Sequence, residues 1–421
     1  MSERKVFVYL DLGGESHLVG ELWARVRGRK ESASFKYSES WLQHPEKFAL
    51  DPALGGILPD AGAFHTEIGQ KIFGAISDSA PDRWGRVLMQ RAEGRRARSK
   101  GERPQTLFEI DYLLAVNDEA RQGALRFSEE VGSSFLRQAK NNSIPPLVSL
   151  SKLLLATERV LDDQENEEDL RLLLAPGSSL GGARPKASVI DHDGQLAIAK
   201  FPRKDDDYST VLWEAVALTL AAKAFILVPE WRLELILEKP TIVIRRFDRQ
   251  QSMRIPFLSA MSMIGAMDNE EHSYLEIVDA LAQHGASPVK DRKSLWRRII
   301  FSILISNTDD HLRNHGFLYV TGKGWELSPA YDVNPTPEEI HPRILRTNID
   351  YDNASASLDL ALSVAQEFGL DQKQAKEIAK EVGLAVSQWR DIAKNLGITV
   401  AEMERMSSAF EHKDLQQAVS F

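Results

Sequence analysis

Asn307-Thr308-Asp309-Asp310-His311-Leu312-Arg313-Asn314 and, downstream, Ser328-Pro329-Ala330-Tyr331-Asp332 are the two segments of this chain that say most about its architecture. An aspartate, an asparagine five positions on, and a second aspartate beyond a strand pair offer one proton-accepting carboxylate and two hard oxygen donors. Phosphoryl transfer asks for that set. It needs little covalent help from protein, only an acceptor hydroxyl aligned with the phosphate and cations that neutralise the phosphate oxygens. Asp309 is placed to accept the hydroxyl proton, while Asn314 supplies a neutral oxygen and Asp332 an anionic one to Mg²⁺. Apolar residues at helical spacing over 295–305 predict a buried helix that delivers the loop rigidly. The same residue types also cap helix ends and turns, and for the octapeptide alone that alternative stays open.

Upstream, residues 176–186 (Pro-Gly-Ser-Ser-Leu-Gly-Gly-Ala-Arg-Pro-Lys) read as a glycine-rich turn between strands. Residues 187–190, the turn 191–194 and residues 196–201 then read as a hairpin whose second strand ends on Lys200. Glycines let backbone N–H groups approach phosphates, and a lysine closing the next strand reaches the α and β oxygens of ATP. A merely flexible loop is the competing reading. Glu214 lies in the apolar helical run 211–222, where a buried carboxylate needs a partner. Lys200 is the expected partner, the alternative being that Glu214 faces water. Residues 240–249 read as a β-branched strand entering a polar connection, where the backbone of Arg246 and Phe247 would meet an adenine base.

In this order the elements resemble the HipA-like toxin kinases, bacterial serine/threonine kinases paired with a DNA-binding antitoxin. The likeness covers nearly the whole length. It is carried by Gly74-Ala75-Ile76-Ser77-Asp78-Ser79-Ala80-Pro81-Asp82-Arg83-Trp84-Gly85-Arg86, by Arg121-Gln122-Gly123-Ala124-Leu125-Arg126-Phe127, by the glycine-rich turn, by Arg245-Arg246-Phe247-Asp248-Arg249, and by the two acidic motifs. The resemblance implies an α+β, two-lobed protein-kinase-like core with a small β-rich and helical N-terminal domain. It implies ATP and Mg²⁺ as cofactors, Asp309 as catalytic base, and Asn314 and Asp332 as metal ligands. The ATP site would comprise Ser179, Leu180, Gly181, Gly182, Ala183, Arg184, Lys186, Lys200, Glu214, Arg246, Phe247 and His311.

In such kinases a serine heading the loop is autophosphorylated, and Ser179 holds the matching place, with Ser178 beside it. A phosphate adds about −1.5 to −2 charges and would repel ATP or eject the loop, an off switch. Arg184 and Pro185 replace a Gln-acidic pair of the best-known pattern. The resemblance further implies a HipB-like antitoxin as partner, DNA reached mainly through it, and a protein substrate such as an aminoacyl-tRNA synthetase whose modification arrests translation. A small-molecule or lipid kinase of related fold, or a non-catalytic DNA co-repressor bound to an antitoxin, are the alternatives.

At 421 residues and 43% hydrophobic, the chain can bury more than one core. Three domains are expected, at 1–145, 146–250 and 251–421. The start Met1-Ser2-Glu3-Arg4-Lys5 has no apolar signal region, and no apolar run approaches the about 20 residues that span a bilayer, so a cytoplasmic protein without membrane contact is expected. The absence of cysteine removes disulfides, thiolate zinc sites and cysteine nucleophiles. A net charge of −9 argues against a broad nucleic-acid surface, and the basic run 93–104 reads as a solvated linker.

Residues 1–60 alternate as strands do, a helix should start near Pro81 with Trp84 in the core, and the acidic run 162–169 reads as a surface connection. From about residue 250 helices dominate, one opening at Asp371, with Thr399-Val400-Ala401-Glu402 as a capping box for the last. His311 is expected to order its loop by hydrogen bonding, and Asp310 to be an exposed neighbour.

Overall fold

The alternating N-terminal residues form strands because every second side chain is apolar and turns to one face. In a computed structural model, which describes residues 2–56, 58–138, 144–177, 182, 184–268 and 270–421, they build β1 (Ser2–Leu12), β2 (Glu15–Arg27) and β3 (Lys30–Tyr37). With β4 (Ala63–His65) and β5 (Leu125–Ser128) these make a five-stranded antiparallel sheet ordered β4-β3-β2-β1-β5, broken by a bulge at Val8/Tyr9.

Packing divides the chain into two units, residues 1–205 with 233–258, and residues 206–232 with 259–421. The expected border at 145 lies inside the first unit, and that at 250 lies close to the last crossing.

In the first unit, α1 (Arg83–Lys100) starts at Asp82, whose carboxylate caps the Arg83 N–H at 2.7 Å. The basic run is therefore largely helix, not linker. The arginines of α1 face acids: Arg86 pairs with Glu109 at 2.6 Å, Arg91 with Glu165 at 3.0 Å, and Arg96 of the run with Glu93 at 2.7 Å. Glu165 and Asp169 of the acidic run are correspondingly buried rather than solvated, Asp169 by Arg159. Then come α2 (Glu109–Ala115), α3 (Leu150–Leu161) and α4 (Glu167–Gly177), so the glycine-rich turn follows a helix and not a strand. β6 (Lys186–Ile190), β7 (Leu196–Lys200), β8 (Trp231–Ile236) and β9 (Lys239–Arg245) form a sheet ordered β6-β7-β9-β8. Trp84, Leu153, Leu173, Val189, Ala199 and Val243 pack together as the core between these helices and the sheet.

The second unit is mainly helical, with one hairpin and a long segment over 328–357 that is neither helix nor named strand. Its elements are α5 (Thr210–Lys223), α6 (Tyr274–His284), α7 (Pro288–Leu304), the hairpin β10 (Gly316–Val320) and β11 (Gly324–Leu327), then α8 (Gln372–Val386), α9 (Trp389–Asn395), α10 (Val400–Arg405) and α11 (Lys413–Ser420). α7 buries Leu295, Trp296, Ile299, Ile300, Ile303 and Leu304, the helix expected to deliver the loop. Trp389 stacks on Phe410 with ring centroids 4.6 Å apart, and Trp213 lies 5.9 Å from the same ring. Asp371 caps α8 with a reciprocal box. Thr399 caps α10, but Glu402 does not close the box: its carboxylate takes the Ser209 N–H and the Trp213 indole instead, and α10 is followed by α11.

Candidate active site

The second unit carries Asp309, His311, Asn314, Asp332 and Glu214; the first carries Gly182, Arg184, Lys186, Lys200, Arg246 and Phe247. Ser178, Ser179, Leu180, Gly181 and Ala183 lie outside the described residues.

α7 ends when Ser306 turns into the left-handed region at φ 52°, which sends the chain sharply away from the helix axis. Two short bonds, His311 N–H to Asp309 O at 2.9 Å and Asn314 N–H to His311 O at 2.8 Å, coil residues 309–314 into a tight turn. The Asn314 side-chain amide then donates to the Asp309 carbonyl at 3.1 Å. That contact uses the nitrogen and directs the amide oxygen away from the turn, as a hard, neutral donor. The Asp309 carboxylate itself is 74% exposed, 3.7 Å from Arg346.

The 331–336 segment is tied to this loop. Asn334 N–H donates to Asn307 Oδ1 at 3.3 Å, Thr336 N–H to Ser306 O at 3.1 Å, and the Tyr331 hydroxyl to Arg313 O at 2.6 Å. Within it, Asp332 adopts φ 56°, a conformation uncommon outside glycine but tolerated best by Asp and Asn. Asn314 and the neighbours of Asp332, Tyr331 and Val333, line one cavity of about 20 Å³, room for a single water.

Asp310 overturns expectation: it is 4% exposed, not a surface neighbour. Its carboxylate accepts from Tyr274 Oη at 2.7 Å and Ser302 Oγ at 3.0 Å and lies 3.0 Å from His315 Nε2, while its carbonyl accepts from Thr347 at 2.8 Å. Burial alone would raise this carboxyl, but His315, Tyr274 and Ser302 outweigh burial and hold it below the usual carboxylate range. Burial, with the Asp310 charge, pushes the Tyr274 hydroxyl far up. The histidine that supports the loop is thus His315. His311 Nδ1 is buried without a hydrogen-bond partner among the described residues, and His311 helps to build the turn through its backbone. Arg298 of α7 donates to Ser328 O, and burial draws its guanidinium down to about 10 despite Tyr331, Asp310 and Asp291 nearby.

Sequence reasoning missed Tyr274, Ser302 and His315 because each reaches Asp310 from a different element and none stands in a motif. Glu214 is 4% exposed, which excludes the wet-face reading.

In the first unit, Lys186 and Lys200 are direct cross-strand partners at the ends of β6 and β7. Like charges set opposite one another repel, so an anion is favoured beside them. Arg246 is buried, its guanidinium spent on Asp248 at 2.8 Å and on the carbonyls of Ala120 and Arg121, and its amide donates to Leu196 O at 3.1 Å.

No helix among the described residues is long and apolar enough to cross a membrane. Residues 178–389 match the family model described as the HipA-like C-terminal domain. A Haemophilus influenzae protein whose name proposes a kinase is 33% identical over 117 residues, 24% of this chain and 34% of that protein, so this chain spans about a third of that relative's length. A chain of the Shewanella oneidensis MR-1 toxin–antitoxin complex of HipA, HipB and operator DNA superposes with a TM-score of 0.65 at 16% identity, over 99% of this chain and 96% of that one. That likeness concerns the fold, and the fold is the mixed helix-and-sheet, kinase-like one expected from the sequence.

Proposed function

Because this chain belongs to the HipA-like C-terminal domain family, we propose that it is a Mg-ATP-dependent serine/threonine protein kinase, the toxin of a toxin–antitoxin pair. The observation that carries this reading is the 309–314 turn, which leaves the Asp309 carboxylate in solvent while the Asn314 amide, bonded to the Asp309 carbonyl, directs its oxygen away.

In this reading Asp309 accepts the proton of a serine or threonine hydroxyl as that oxygen bonds to the γ-phosphorus and ADP leaves. The Asn314 amide oxygen and the Asp332 carboxylate fit Mg²⁺, being hard oxygen donors on segments hydrogen-bonded to each other. Bound there, Mg²⁺ neutralises charge on the phosphate oxygens. Lys186 and Lys200, with Arg184 and the amides of Ser179, Leu180, Gly181 and Ala183, meet the phosphates, while Gly182, whose N–H is bonded to Asp82, belongs to the same segment. Glu214 is a buried carboxylate of the ATP site, Arg246 and Phe247 offer backbone to adenine, and His311 borders the nucleotide. Ser179 is the self-acceptor that switches the enzyme off. By analogy with the Shewanella complex, a HipB-like antitoxin binds the chain and carries it to DNA, in the cytoplasm. The substrate is a protein, of the aminoacyl-tRNA synthetase class.

The test is incubation with Mg²⁺ and γ-labelled ATP beside an Asp309→Asn control, with mass spectrometry of the product. Label on Ser179 that vanishes in the control supports the reading. Undiminished labelling of Asp309→Asn removes Asp309 as the base, and a wild-type chain that does not bind Mg-ATP is no kinase.

A further inference from the structure

One sequence motif has no part in the chemistry above, Pro81-Asp82-Arg83-Trp84 at the start of α1. Its side chains touch the glycine-rich segment a hundred residues away in sequence. One Asp82 carboxylate oxygen caps α1 at the Arg83 N–H, 2.7 Å away, and the other accepts the N–H of Gly182. The Trp84 N–H donates to Gly182 O at 3.2 Å, and the Trp84 indole N–H donates to Lys186 O at 3.0 Å. Gly182 is held at φ 87°, a conformation that glycine adopts readily. Three bonds thus fasten both ends of 182–186 to the first turn of one helix, and Trp84 is sunk in the core with Leu153, Val189 and Val243.

We propose that Asp82 and Trp84 are positioning residues for the nucleotide, which anchor Gly182 and Lys186 so that the phosphate-binding segment is set before ATP arrives. The proposal rests on the kinase reading. Its physical basis is entropy: glycine loses more conformational freedom on ordering than any other residue, so an unanchored segment must be ordered at the expense of binding. The Gly182 bond is charge-assisted, since the acceptor is a carboxylate, and stronger than a neutral contact. The same carboxylate occupies the Gly182 N–H, so phosphate is left to the other amides and to Lys186 and Lys200.

Two substitutions separate anchoring from folding. Asp82→Ser keeps a helix cap but is too short to span to Gly182 as well. Trp84→Phe keeps an aromatic ring in the core and removes the indole donor together with some ring volume. Amide exchange at Gly182 reports the anchor without nucleotide, and we expect it to rise about ten-fold in Asp82→Ser. In both variants Kd and KM for Mg-ATP should rise about ten-fold, the factor equivalent to about 1.4 kcal/mol, with kcat at saturating ATP held. Unchanged exchange at Gly182 refutes the anchor. Faster exchange with unchanged Mg-ATP affinity refutes its role in binding, as does a fall in kcat with KM unmoved. A wild-type chain with slow Gly182 exchange and no Mg-ATP affinity overturns the kinase reading instead, with the anchor intact.

Discussion

Asp309 and Asp310 are neighbours with opposite surroundings, and exchanging each for asparagine should separate activity from stability. Asp310→Asn keeps the shape of the side chain and one acceptor oxygen. Tyr274 and Ser302 donate to one carboxylate oxygen and His315 faces the other at 3.0 Å. The remaining oxygen can therefore serve the two hydroxyls only by turning the amide nitrogen to His315, and the charge that all three meet is lost. Hydrogen bonds to charged groups contribute about 1.5–3 kcal/mol each, and breaking a buried pair costs about 3–5 kcal/mol. The substitution leaves the two hydroxyl bonds without their charge and forfeits the contact with His315, so we expect a loss of about 3 kcal/mol. For a unit of this size that lowers Tm by roughly 6–12 °C.

Asp309→Asn, on an exposed side chain, should stay within about 0.5 kcal/mol of wild type while phosphate transfer is abolished. Calorimetry of the three proteins, read at the transition of the second unit, decides the matter. The contrast also has a pH signature. The folded pKa of Asp310 is depressed, so its stabilisation is complete above the unfolded value of about 4 and is lost as pH falls through the folded one. Asp310→Asn should flatten that acid limb. An Asp310→Asn protein that melts with wild type, or an Asp309→Asn protein that melts equally early, would refute the argument.

His412 supplies a second pH effect. Burial, with Arg343 nearby, holds it down to about 4, and it is built in as a neutral ring, 3.2 Å from Leu304 O and 3.4 Å from the Leu415 N–H. Between its unfolded pKa of about 6.5 and that value the unfolded chain binds a proton the folded one does not, so stability should fall by roughly 3 kcal/mol as pH drops through the window. Denaturant midpoints across it should slope in wild type and be nearly level in His412→Gln. In the first unit, Asp248→Asn strips the charge shared by Arg246 and Arg249 and weakens the acceptor of the Gly123 N–H, 2.8 Å away. Two buried guanidinium groups left uncompensated should cost about 3–5 kcal/mol, seen as an earlier urea transition of that unit; an unshifted transition would show that the arginines find other partners.

How much could be read from the sequence depended on range. The strands at 6–10 and 33–37, the hairpin ending on Lys200, the helix at 211–222 and the apolar helix before Asn307 were legible, because periodicity and turn residues act over a few positions. The Asp309–Asn314 turn was legible for the same reason. Asp310 was misjudged because its burial is decided by Tyr274, Ser302 and His315, which nothing local announces. The basic run was mistaken for a linker because Glu165, which faces its Arg95 at 3.7 Å, stands far from it in the sequence. Thr399 to Glu402 matched a capping box in spacing, yet Trp213 and Ser209 claimed the glutamate. In each case a polar partner outside the motif being read overrode a correct local rule.

The backbone passes between the two packing units three times, after residues 205, 232 and 258. Neither unit is therefore one uninterrupted stretch of gene, and a single recombination point cannot exchange either for a relative's. Trimming the chain to the family segment 178–389 would discard Asp82 and Trp84 at one end. At the other it would discard Asp414, which holds Arg343 at 2.7 Å and the Leu358 N–H at 2.9 Å. What such a chain inherits together is set by these crossings: the flanks must diverge in step with the segment they brace, however freely their own sequences drift.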